Sequence, residues 1–230
     1  MCLSPEVDLV AGTAIGLIAI QTIRETHVRQ LAPIASVPAL FSIHSFASAL
    51  MWLESQGRIS QQLGNFATAI YLIIAFIILP ILIPVSVLTI TASKKRRRVL
   101  QLLLAAGLVT GIDYAINILN GNSDVKACHN YLDVRVTSTL AISSILYGLA
   151  TCIVMLISEY RPLRMWGIVN VLFVGILYVR LQEGLASLWC LWAACTSFFV
   201  LWLVKELNRE HEATGKWNWE EPNVQRRISL

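Results

Sequence analysis

The chain has 230 residues, 56% hydrophobic and only 14% charged, with a formal net charge of +4. A soluble domain carries about 25% charged residues, so this composition excludes an ordinary water-soluble enzyme and places the chain among membrane proteins. Five scattered cysteines, Cys2, Cys128, Cys152, Cys190 and Cys195, make neither a disulfide framework nor a zinc-ribbon spacing, and no phosphate-binding glycine loop or nucleic-acid-binding pattern is present.

A helix crosses a bilayer with roughly 20 apolar residues, and seven stretches qualify: 8–24, 31–53, 66–92, 99–120, 135–158, 165–184 and 186–205. The N-terminus MCLSPEVDL carries acids where a signal peptide has bases, so the first stretch is read as a retained span. Its Gly12 and Gly16 form a GxxxG pair suited to close helix packing. The second span carries His44 and Ser48 on one face. The third, the most apolar, contains Pro80 and Pro84, which should kink it. Between the third and fourth lies SKKRRR, residues 93–98.

The fourth span ends in TGIDYAINILN, residues 110–120. Asp113, Asn117 and Asn120 share one helical face there, extended by Gly107, Thr110 and Tyr114. The loop that follows holds Cys128 and His129, and the fifth span carries a stripe of small residues. The sixth span ends in Arg180 and Glu183, and it meets the seventh at Gly184 in a tight hairpin. Cys190 and Cys195 fall in the seventh, among Trp189 and Trp192. A hydrophilic tail occupies 206–230, where Trp217 and Trp219 are expected to rest on the membrane surface.

Lys and Arg set the orientation. With 93–98 cytoplasmic and seven spans, fourteen of the eighteen basic residues fall inside; Arg58, Lys126, Arg135 and Arg180 do not. The fold expected is therefore all-α and polytopic, with seven transmembrane helices, the N-terminus outside and the C-terminus cytoplasmic. Residues 1–205 form the membrane domain and 206–230 the tail.

Counting 1.5 Å per residue from the outer ends, Asp113 lies roughly 10 Å below Asn120 and His44 roughly 12 Å below Trp52. Glu6, Asp8, Glu54 and Cys2 fall near the outer surface. An ionised side chain facing hydrocarbon costs about 2.5–3.5 kcal/mol. His44, Asp113, Asn117, Arg180 and Glu183 are therefore expected to line an outward-facing polar pocket. Arg180 would pair there with an anionic group or with Asp113. The plainer alternative is a structural Asp113–Arg180 ion pair in a purely structural subunit. A third alternative is a membrane-embedded hydrolase, dependent on a metal or a thiol. Cys2, His44 and Cys190 are its candidate catalytic or metal-ligating residues, and a transition metal is its cofactor.

Several of these residues also carry a resemblance. MCLS at the start, His44 followed eight residues later by Trp52-Leu53, AFIILP in the third span and Glu183 before Ser187-Leu188-Trp189-Cys190 resemble a family of uncharacterised bacterial multi-span membrane proteins. Its members begin Met-Cys-Phe-Ser, and many carry an acid four residues after the histidine, where this chain has Ser48. The resemblance implies a seven-span protein of the bacterial inner membrane and singles out Cys2, His44, Glu183 and Cys190. It implies no activity. The function expected is binding, for sensing or translocation, of a small polar or amphiphilic ligand from outside. The bilayer and that ligand are the partners expected; protein partners and any enzymatic activity stay open.

Overall fold

The computed structural model describes residues 4–128, 131–180, 185–217 and 219. For 126–128, 131, 177–180, 185–191, 193, 194 and 214 it describes the backbone alone. The chain is mostly helical. Helix α1 (Pro5–Arg24) starts at Ser4, whose Oγ accepts the Val7 N–H at 3.3 Å, with Pro5 in the first turn where its missing N–H is harmless. A 3₁₀ turn, α2 (Ala32–Ala35) and α3 (Val37–Ser55) continue one another along Arg29–Ser55. A second composite rod, Gln61–Thr89, joins α4 (Gln61–Leu72) to α5 (Leu79–Thr89). Helix α6 spans Lys94–Leu119. These four segments are long and apolar enough to cross a membrane, and they coincide with the first four predicted spans to within a few residues.

The expected distortion in the third segment is present, and its form is specific. Pro80 has no N–H for the carbonyl of Phe76, and the six residues before Leu79 adopt a π-helix, Ile73–Ile78. Pro84 in turn leaves the Pro80 carbonyl without its helical donor. That carbonyl is directed at Gly107 of α6, where a Cβ would lie 1.9 Å from it. Only glycine lets the two helices approach this closely. The Gly12–Gly16 pair does the same for α1 on α3: Ser42 Oγ donates to the Gly12 carbonyl at 2.7 Å and would lie 2.9 Å from a Cβ at Gly16.

After α6 the structure departs from the all-α expectation. Strands β1 (Ser123–Cys128) and β2 (Tyr131–Val136) form an antiparallel hairpin, with Val125 opposite Val134 and Asp124 opposite Arg135. The period-2 alternation puts Val125, Leu132, Val134 and Val136 on one face. That face covers the bundle end, and Leu132 is buried among Trp52, Tyr71 and Leu72. The fifth predicted span, 135–158, therefore begins as strand and loop. Its helical part is α7 (Ser143–Thr151) followed by a 3₁₀ turn, Ile153–Ile157.

Helices α8 (Arg161–Arg180) and α9 (Leu185–Thr214) complete the bundle. The 205/206 boundary falls inside α9, whose Leu203, Val204 and Leu207 are fully buried. Asn208 clamps this end to the segment after α1: its Nδ2 donates to the Glu25 carbonyl and its Oδ1 accepts from the Val28 N–H at 3.1 Å. Lys205 pairs with Glu25 at 3.3 Å. Trp217 is a correction to the surface-resting expectation. It is 3% exposed, in the core with Leu31, Leu163 and Leu207. Large apolar side chains face outward, among them Val10, Leu17, Leu102, Ile145, Leu172 and Phe198, as a lipid-facing surface requires.

Candidate functional site

Two buried polar constellations stand out, both toward the hairpin end. The first is built on α6. Asp113 is 5% exposed, and its carboxylate accepts from Ser138 Oγ at 2.6 Å, Ser143 Oγ at 2.7 Å, Thr139 Oγ1, and Asn117 Nδ2 at 3.3 Å. Asn117, fully buried one turn on, also donates to the Asp113 carbonyl at 2.8 Å and accepts from Asn122 Nδ2 at 3.2 Å. The backbone continues the tie, with Asn122 N–H on the Asn117 carbonyl and Thr137 N–H on the Asn122 carbonyl. A carboxylate with four donors is well compensated for its desolvation. This one staples the hairpin and the loop before α7 to α6. Asn120, predicted on the same face, is exposed.

The second constellation joins α1, α3 and α4. Asp8, read from the sequence as near the outer surface, is fully buried, and its Oδ2 accepts from Ser48 Oγ at 2.6 Å. The close α1–α3 packing at Gly12 and Gly16 brings the first turn of α1 against α3. Asp8 thus supplies a carboxylate at the level where the resemblance leads one to expect an acid and the chain has Ser48. One turn deeper on α3, His44 is buried with its ring 3.9 Å from the Tyr71 ring of α4. One turn the other way, Trp52 is 6% exposed, and its Nε1–H has no hydrogen-bond acceptor among the described residues. His44, Ser48 and Trp52 lie at i, i+4 and i+8 and so share one face.

The structure sets His44 against Tyr71 and Ser48 against Asp8, with His44, Ser48 and Trp52 along one face of α3, and it brings Asp113 together with Asn117. Cys2 and Glu183 lie outside the described residues, as do the side chains of Arg180 and Cys190. Among the described residues no three His, Cys, Asp or Glu side chains are grouped as a metal site. A cavity of about 50 Å³ lies elsewhere, walled mainly by apolar side chains that include Phe41, Ile83, Met155, Trp166 and Phe199. His44, Asp113 and Asn117 are not in its wall.

Asp8 was missed by counting depth from the chain end. The signal that finds it is the serine register Ser42, Ser45, Ser48 facing the Gly12–Gly16 pair: small residues on both helices mean close contact, and close contact covers the first turn of α1. For Asp113 the signal is the run VTSTLAISS, residues 136–144, whose five hydroxyls are too many for a lipid-facing segment.

No curated protein and no solved structure matches the chain. A family model, described as a family of unknown function (DUF6629), matches residues 1–215. The chain belongs to that family.

Proposed function

We propose that the protein is a seven-span protein of the bacterial inner membrane, with its N-terminus outside, that binds a small polar or amphiphilic ligand for sensing or translocation. The site is the α1–α3–α4 face that carries Asp8, His44, Ser48 and Trp52. The observation that supports this is the Trp52 indole N–H. A buried donor left without an acceptor costs about 1–3 kcal/mol, and a ligand oxygen or nitrogen beside Ser48 removes that cost. Asp8 and His44 add a carboxylate and an imidazole to the same face, so a ligand with both donors and acceptors is matched, and His44 can exchange a proton with it. Asp113 and Asn117, satisfied within their own loop, position the hairpin over this face. Arg180 and Glu183 belong to the ligand set only through their sequence depth.

The test is a thermal-shift screen of detergent-purified protein against small carboxylates, amines, zwitterions and sugars, run beside Trp52→Phe and His44→Ala. A compound class that raises the parent's melting temperature and leaves both folded variants unmoved supports the reading. Equal responses in parent and variants overturn it. Metal content is measured on the same samples. Stoichiometric metal in the parent, lost in His44→Ala and Cys2→Ser, transfers the site to the hydrolase alternative.

A further inference from the structure

At the end opposite the hairpin, a cleft of about 680 Å³ opens between the end of α5, the start of α6 and the returning tail. Thr91, Ser93, Lys94 and Arg97 line one side, and Trp217 and Trp219 the other. We infer that this cleft binds a phosphate group, carried either by an anionic phospholipid headgroup or as free phosphate.

The charge arrangement motivates the assignment. Residues 94–98 put five cations into the first turns of α6, with no acid in the first turn. A helix N-terminus already carries partial positive charge, so each of these cations is placed unfavourably unless an anion is present. The fold uses them unequally. Arg96 turns inward, its Nη1 donating to the carbonyls of Ile157 at 2.9 Å and Ser158 at 2.7 Å. Arg97 spends one nitrogen on the carbonyls of Leu88 at 3.3 Å and Thr91 at 3.2 Å, closing the end of α5. Its other donors are uncommitted. Lys94 is exposed and has no hydrogen bond or ion pair among the described residues. Glu159, also in the cleft wall, accepts from the Ala92 N–H at 2.8 Å and the Ser93 N–H at 3.2 Å. It offsets one of the two wall cations, so the wall stays net positive. A charge run that only set membrane orientation would need no cleft.

The opposite wall suits a lipid headgroup. Trp217 and Trp219 stack with rings 5.4 Å apart and nearly parallel, and Trp219 Nε1–H is held by the Ile90 carbonyl at 3.2 Å. Trp217 backs this wall from the core, and Trp219, partly exposed, is the indole at home at headgroup level. Along α6, Val99 and Leu102 are 40% and 72% exposed. They form an apolar track on which acyl chains attached to the bound phosphate would lie.

The experiment measures lipid binding by the full chain in mixed micelles. One arm contains phosphatidylcholine alone, a second adds phosphatidylglycerol, and a third replaces the anionic lipid with inorganic phosphate at matched ionic strength. Phosphatidylglycerol is expected to bind and to raise the melting temperature, with Lys94→Gln weakening it about fivefold and Lys94→Gln/Arg97→Gln further. The control is Lys95→Gln/Arg98→Gln, which removes the same charge outside the cleft and should change binding less. Equal loss in both double variants, or no gain of phosphatidylglycerol over phosphatidylcholine with no effect of phosphate, overturns the site. Protection by inorganic phosphate equal to that by the lipid keeps the phosphate site and removes the lipid as its source. Lys94→Gln keeps the test readable if Arg97→Gln disturbs the end of α5.

Discussion

Asp8 and Asp113 are both buried carboxylates in candidate membrane helices, and they are treated differently by their neighbours. Three hydroxyls and an amide converge on Asp113, all from its own helix or from residues 138–143. Asp8 is joined by Ser48 to a face that also carries an imidazole and an indole N–H with no acceptor among the described residues. Saturation of this kind makes a carboxylate a fastening. A carboxylate that shares its seam with an imidazole and an indole N–H is the arrangement on which the proposed ligand site rests. Polar residues at the same depth of a bundle therefore do not form one pocket by default; what each already bonds to decides its role.

The largest expected effect breaks the fastening. Asp113→Ala leaves three hydroxyls and the Asn117 amide to find other acceptors and should cost about 2–4 kcal/mol, read as a fall in melting temperature and faster proteolysis of the 123–142 segment. Asp113→Asn should cost about half of that. If Asp113→Ala is neutral, the fastening reading is wrong. Next is Gly107→Ala, six residues before Asp113, which must push α5 and α6 apart and should cost about 1–3 kcal/mol. Its control, Gly148→Ala, meets nothing within 4 Å and should stabilise by about 0.5–1 kcal/mol through helix propensity. Trp52→Phe sharpens the other side of the comparison. Removing an unsatisfied buried donor should leave the ligand-free protein unchanged or up to about 1 kcal/mol more stable, while abolishing the ligand response. The smallest effect lies outside both regions. Burial, then Glu210 and Glu206, push the Tyr160 hydroxyl up to about 12. The folded state favours its neutral form, so its contribution to stability is complete below about pH 10 and is lost as pH rises through about 12. In an ultraviolet titration, Tyr160→Phe should remove one tyrosine's share of the late ionisation, the share that falls near pH 12.

The four long helices were legible because twenty apolar residues give a strong one-dimensional signal. The hairpin was not, although Val125, Leu132, Val134 and Val136 alternate cleanly. Six-residue strands between long apolar runs read as loop, and Arg135 and Val136 could be absorbed into the next span. Lateral position around each helix was not legible. His44 faces Tyr71 and Asp113 faces Ser138, Thr139 and Ser143, because rotation about each helix is set by partners that a linear count omits. Trp217 escaped because a hydrophilic stretch gives no sign that one indole folds back into a core.

The spacing of these contacts along the chain bears on how the bundle assembles. Asp8 meets Ser48 after 40 residues, and Asp113 meets Ser138 and Ser143 after 25 and 30. Each charged group thus finds its partner in the segment synthesised just after it, so neither has to wait in lipid for the rest of the chain. Asn208 closes onto Glu25 across 183 residues and does so last. Insertion can therefore proceed as two locally sheltered units, with the final helix acting as the latch that joins them.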